Sequence, residues 1–203
     1  MDSGDKLSHK LSAEDNNKEA VKALIRWMGD SPEREGLIDT PTRVLDALVR
    51  SCSGYGKDKE EEYRGTVLKN SDGYSDMIVL KGINFSSTCE HHIVPIRGKA
   101  GIAYIPKDGI LGIGEIVKIV GIFAKRLQLQ ERLTVQIAKF LERVLDPLGV
   151  IVILEAKHCC VEHHQGLVGD NFRVQTSCAL GVFRDNRALV EEFFSRMNLG
   201  VML

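Results

Sequence analysis

Apolar residues recur at helical spacing in five stretches of the chain. Ala20, Val21, Leu24, Ile25 and Met28 form the first stripe, with Ser12 and Asp15 as an N-terminal cap and Gly29 with Ser31-Pro32 as its end. Thr40 caps a second helix that has Pro41 at its first position and Val44, Leu45, Leu48 and Val49 as its buried side. Ile116, Ile119, Val120 and Phe123 predict a helix over about 114–127, and Leu133, Ile137, Phe140, Leu141 and Val144 another over about 131–145. Leu189, Val190, Phe193, Phe194 and Met197 predict a last helix from near Asn186.

Between these the period changes. Met77 to Phe85 and Gly98 to Pro106 read as strands, followed by a Pro106-Lys107-Asp108-Gly109 turn. Val150 to Leu154 is a β-branched and aliphatic run, and Phe172 to Val182 alternates strictly. Residues 1–12 lack apolar periodicity and read as a disordered tail. The charged run 57–64 reads as a solvated loop or helix surface, and residues 161–171 as a loop. The predicted fold is α+β: N-terminal helices over 13–70, then a β-β-α-α-β-β unit with a mainly antiparallel sheet and a C-terminal helix over 71–203.

Composition narrows the function classes. The 203 residues are 43% hydrophobic and 27% charged, ordinary for a globular chain with a sizeable core. A net charge of −1 gives no global attraction to nucleic acid or a membrane surface, so any anion site must be local. No segment has the roughly 18 apolar residues of a transmembrane helix, and the polar N-terminus lacks a signal-peptide core; a cytoplasmic location is expected. Five cysteines, two of them adjacent, suit reduced thiols or metal ligation better than a disulfide framework.

The histidines and cysteines are clustered. Five of six histidines and three of five cysteines lie between residues 89 and 164, around Cys89-Glu90-His91-His92 and His158-Cys159-Cys160. Cys89 and His92 have C-x-x-H spacing, which lets two ligands face one ion. If the strand from Val150 continues through Cys160, His158 and Cys160 share a face and Cys159 points away. That favours Cys89, His92 and Cys160 as ligands, an open three-ligand set of the catalytic kind. A closed structural site using His158, His163 or Cys159 as fourth ligand, or no metal at all, fits the spacing too. His91 and His158 are left as candidates for proton transfer.

Several separated motifs resemble the GTP cyclohydrolase I family. They are Cys89-Glu90-His91-His92 with Pro95 and Gly98, Ile102 to Pro106, Lys125 to Thr134, His158-x-Cys160 and Leu180-Gly181-Val182-Phe183. Upstream, Glu35-Gly36-Leu37 and Thr40-Pro41-x-Arg43 agree as well, so the resemblance runs from about residue 17 to the end. It implies a tunnelling fold, subunits paired edge to edge into a homodecamer, and active sites between subunits. It implies hydrolysis of the guanine imidazole ring of GTP, release of formate and formation of 7,8-dihydroneopterin triphosphate, the first step of tetrahydrofolate and pterin synthesis. It also implies one zinc per subunit on Cys89, His92 and Cys160, His91 and His158 in proton transfer, and Glu131 with Gln130 at the guanine. A carboxylate suits the donor edge of that base.

The triphosphate end departs from the family. Gly114-Glu115 stands where the family has Ser-Lys, Lys118 where it has Arg, and His164 where it has a further Arg. The remaining cations are Arg43, Lys118 and Arg173, with Arg64, His163 and His164 as substitutes. Backbone N–H groups around Gly112-Ile113-Gly114 could also form a nest for a phosphate. Two alternatives follow: a paralogue acting on another nucleotide or pterin, or a non-enzymatic oligomer with a structural zinc.

Overall fold

A computed structural model describes residues 3–162, 169 and 171–198, with side chains for residues 14–162, 169 and 171–197. The chain forms two compact units, Met1–Ser51 and Cys52–Leu203.

The first unit holds α1 (Ser3–Trp27), a 3-10 turn (Glu35–Leu37) and α2 (Thr40–Ser51). α1 starts well ahead of the Ser12 predicted as its cap. The residues before Ser12 have no apolar stripe, so periodicity gives no signal for them. Farther along, Lys18–Glu14 and Lys22–Glu19 pairs decorate the same helix. Pro41 sits in the first turn of α2, where its missing N–H costs nothing.

The second unit begins with α3 (Glu60–Arg64) and β1 (Val67–Lys69), and continues with β2 (Ile78–Cys89), β3 (Pro95–Ile105) and β4 (Gly109–Leu111). Then come α4 (Ile113–Ala124), β5 (Leu127–Gln128), α5 (Gln130–Leu145), β6 (Gly149–His158), α6 (Cys159–Glu162), β7 (Val174–Gly181), α7 (Val182–Asp185) and α8 (Arg187–Asn198). The charged run is thus a short helix, with Tyr63 edge-on to Phe140 of α5. The five-stranded sheet has the order β5-β2-β3-β6-β7. Its pairs are antiparallel except β2 with β5. β1 and β4 form a separate antiparallel pair.

Strand alternation divides the core. Val150, Val152, Leu154 and Ala156 of β6 face the main cluster with α4 and α5, whereas Ile151 and Ile153 face a smaller one with Phe183 and Phe193. Ile116, Ile119, Ile137 and Phe140 are completely buried in the main cluster. This packing fixes the N-terminus of α5 beside the far ends of β2 and β6, where the chemistry-bearing residues gather. No helix among the described residues is long and apolar enough to cross a membrane.

Candidate active site

The β2–β3 hairpin carries the Cys-Glu-His-His motif at its tip. Thr88 pairs with Pro95 as the last ladder position, Cys89 N–H donates to Val94 O (2.8 Å) and Ile93 N–H to Cys89 O (2.9 Å). This closure puts Ile93 at φ 55°, a left-handed conformation that β-branched residues avoid. Its side chain is 57% exposed, so little burial offsets the strain. Ile93→Asn is therefore expected to stabilise the metal-free protein by about 1 kcal/mol, measured by urea unfolding.

Next to the hairpin, β5 pairs Gln128 with Cys89, and Glu90 N–H donates to Gln128 O (3.1 Å). Arg132 closes this clamp. Its Nη2 bonds the Glu90 carboxylate and Leu127 O (2.9 Å), and its Nε donates to Gln128 Oε1 (3.1 Å). Glu90→Gln weakens this hold on the loop between Cys89 and His92. Metal affinity, read by chelator competition, is expected to fall about tenfold.

Cys89, His92 and Cys160 converge. One ligand atom from each lies within 4.8 Å of the others, and among the described residues they form the one such cluster. Cys89 Sγ lies 3.8 Å from His92 Nδ1. Burial, and then the neighbouring Cys89 thiol, push the Cys160 thiol's pKa up. A cation between the sulfurs relieves both effects, so the donors fit a soft metal ion. The route to Cys160 differs from the expected one. β6 ends at His158, and Cys160 lies on the helical turn α6 rather than on a continuing strand.

His158 points into a different network. Its Nε2 is 2.7 Å from Gln130 Oε1. Gln130 Nε2 lies within hydrogen-bonding distance of Leu154 O (3.2 Å), Val174 O (2.9 Å) and Thr176 Oγ1 (3.1 Å). Backbone carbonyls can only accept, so they orient the amide with its oxygen toward His158. Nε2 of neutral His158 therefore donates, and Nδ1 keeps the lone pair. Thr134 Oγ1 extends the network to Thr176 Oγ1 (2.7 Å) and Gln130 O (2.7 Å). Burial holds the His158 pKa below its ordinary value, against the carboxylate of nearby Glu131, which raises it.

The other expected site residues lie as follows. His91 is exposed beside His92, with ring centroids 6.1 Å apart. Glu131 is exposed in the first turn of α5. Gln130 is 1% exposed and its amide is engaged within the protein. Lys118 is ion-paired with Glu115. Neither Gly112 nor Gly114 has a positive φ, so this stretch is an extended cap and a helix start rather than a nest. Arg43 belongs to the first unit, paired with Asp39 (3.1 Å). Arg64 is paired with Glu60, and Arg173 Nη1 donates to Phe172 O. His163 and His164 lie outside the described residues. Arg132 and Glu90 were missed as a pair, because nothing in local spacing links residues so far apart in the chain.

An antiparallel sheet with two helices inserted in its middle has the plan of a tunnelling-fold protein, here with a Cys-His-Cys cluster at one end that could hold a metal ion. The family model for GTP cyclohydrolase I matches residues 17–198, and the chain belongs to that family of enzymes. Proteins called GTP cyclohydrolase 1 are similar throughout. That of Rickettsia bellii is 42% identical over 189 residues, covering 93% of this chain and 97% of its own. That of Rickettsia typhi is 42% identical over 178 residues (88% and 93%), and that of Brucella anthropi 46% over 155 (76% and 72%). Among solved structures, an archaeosine synthase QueF-Like superposes with a TM-score of 0.43 at 21% identity, over 52% of this chain and 93% of its own.

Proposed function

We propose that this chain hydrolyses the imidazole ring of GTP, releasing formate and forming 7,8-dihydroneopterin triphosphate. The observation that carries the reading is the convergence of Cys89, His92 and Cys160, with His158, oriented by Gln130, two residues before the last of them. Family membership supports it independently. Zinc is the metal we assign, because two thiolates and an imidazole are a soft donor set and an open three-ligand site is the catalytic pattern. When bound there, zinc supplies an acidified water, of pKa about 7, as nucleophile for C8 of the purine.

The protein's own groups do the rest. His91, exposed next to a ligand, delivers a proton to N7. His158 moves a second proton through Nδ1, the nitrogen not engaged with Gln130. Glu131 accepts from N1 and the 2-amino group of guanine, and Gln130 acts by positioning His158. Lys118, Arg43 and the helix start at Gly114 are the phosphate contacts we assign. Sites shared between subunits of a homodecamer, a cytoplasmic location and a catalytic unit spanning 71–203 complete the proposal.

The test is a nucleotide panel. GTP, GDP and guanosine are compared with zinc-loaded protein, following formate and the neopterin fluorophore that appears after oxidation and dephosphorylation. Turnover of GTP above GDP supports the reading. Preference for a less phosphorylated nucleotide moves the substrate, and silence with every nucleotide makes the metal structural.

A further inference from the structure

The second unit has a concave basic patch, of which the proposed function uses Lys118 alone. A cavity of about 240 Å³ is lined by Lys57, Lys118 and Lys125, together with Ser53, Gly54 and Tyr63. The loop that carries Lys57 is fixed to the end of α4. A Cβ on Gly54 would lie 1.9 Å from Ile122 O and 2.8 Å from Lys125 O, so only glycine permits this approach. Gly54 N–H donates to Lys125 O (2.9 Å), and the buried Arg126 donates to Gly54 O (3.0 Å) while pairing with Asp58 (2.9 Å). The backbones that bear Lys57 and Lys125 are therefore held against each other.

The charge gathered there is only partly neutralised by its neighbours. Lys118 is paired with Glu115, but no ion pair among the described residues involves Lys57 or Lys125. Three nearby carboxylates are engaged elsewhere: Asp58 with Arg126, Glu60 with Arg64 and Arg143, and Glu62 with Lys59. The helix dipole favours one lysine at the end of α4, but it does not account for Lys57 on a separate loop. Glu115, Lys118, Ile122 and Lys125 run along one face of α4, from its first turn to just past its end. Three residues after Lys125, Gln128 pairs with Cys89. The end of this stripe is thus within roughly 15 Å of the metal-binding loop.

We propose that Lys57, Lys118 and Lys125 form a binding pocket for phosphate oxyanions, in which the anion displaces Glu115 from Lys118. The phosphate has two possible sources: the triphosphate tail of the substrate, or a separate phosphorylated small molecule. Only the first source rests on the function proposed above. It would supply cations where Glu115 replaces the family's lysine.

Inorganic tripolyphosphate is the probe, titrated calorimetrically into the full-length metal-loaded protein. Wild type is expected to bind it with an affinity that falls as salt rises. Lys57→Gln/Lys125→Gln is expected to weaken binding about tenfold or more, and Lys57→Arg/Lys125→Arg to retain it. Lys59→Gln/Lys139→Gln, which removes equal charge outside the pocket, is expected to stay within about twofold. An unchanged thermal midpoint shows that the variants are folded. No binding by wild type, or equal weakening by the two glutamine pairs, overturns the proposal. Tripolyphosphate that competes with GTP identifies the substrate's tail, whereas a noncompetitive effect identifies a separate ligand. Lysine-dependent binding without GTP turnover would leave the pocket standing and remove the proposed reaction. Turnover without such binding would do the reverse.

Discussion

Cys160→Ser is expected to lower formate release from GTP by about 10³-fold or more, and to lose bound metal, while the protein stays folded. Cys160 lies on the short turn α6, only partly buried and outside the sheet ladder. Replacing its sulfur by oxygen removes a soft ligand and few packing contacts. Burial and Cys89 keep the metal-free thiol neutral, as a serine hydroxyl is, so the exchange changes no charge there. The thermal midpoint of the metal-free variant is therefore expected to stay close to that of the metal-free wild type. Metal analysis, calorimetric unfolding and formate release check the three parts. A variant that keeps its metal and its activity would remove Cys160 from the ligand set.

Gln130→Leu is expected to have the next largest effect. It leaves the buried carbonyl of Leu154 without its amide partner and ends the tie from α5 to Val174 and Thr176. The stability loss should be about 1–3 kcal/mol by denaturant unfolding. Activity should fall about 10- to 100-fold through kcat rather than KM, because His158 loses the acceptor that sets its tautomer. Nitrogen NMR of the imidazole reads this directly: the proton fixed on Nε2 in wild type redistributes in the variant. His158 also imposes a pH dependence. Its folded pKa lies below the ordinary value of about 6.5, so the unfolded chain binds the proton more readily. Its contribution to stability is present above about pH 6.5 and is lost as pH falls through the depressed pKa.

Much of this was legible in the chain, though not always for the right reason. The long elements and the antiparallel sheet follow from apolar period, as in β6, where alternate residues feed two clusters. β5, β1 and β4 are two or three residues long, too short to show a period. Cys160 was selected by extending a strand that in fact ends at His158. The helical turn that follows still brings its sulfur to Cys89. The family resemblance places Gln130 at the guanine beside Glu131. Yet Gln130, Leu133, Thr134, Ile137, Ala138 and Leu141 share the buried stripe of α5. Helical spacing therefore held the sign that Gln130 faces inward. The Glu90–Arg132 clamp spans 42 positions, and only the folded β5–β2 pairing brings its ends together.

The most direct measurement of the central claim is a zinc titration of metal-stripped protein with GTP present, following formate. The stripped protein is expected to release no formate, and the rate to rise in proportion to added zinc and level off near one zinc per chain. A rate independent of zinc, or no formate at full occupancy, would contradict the claim.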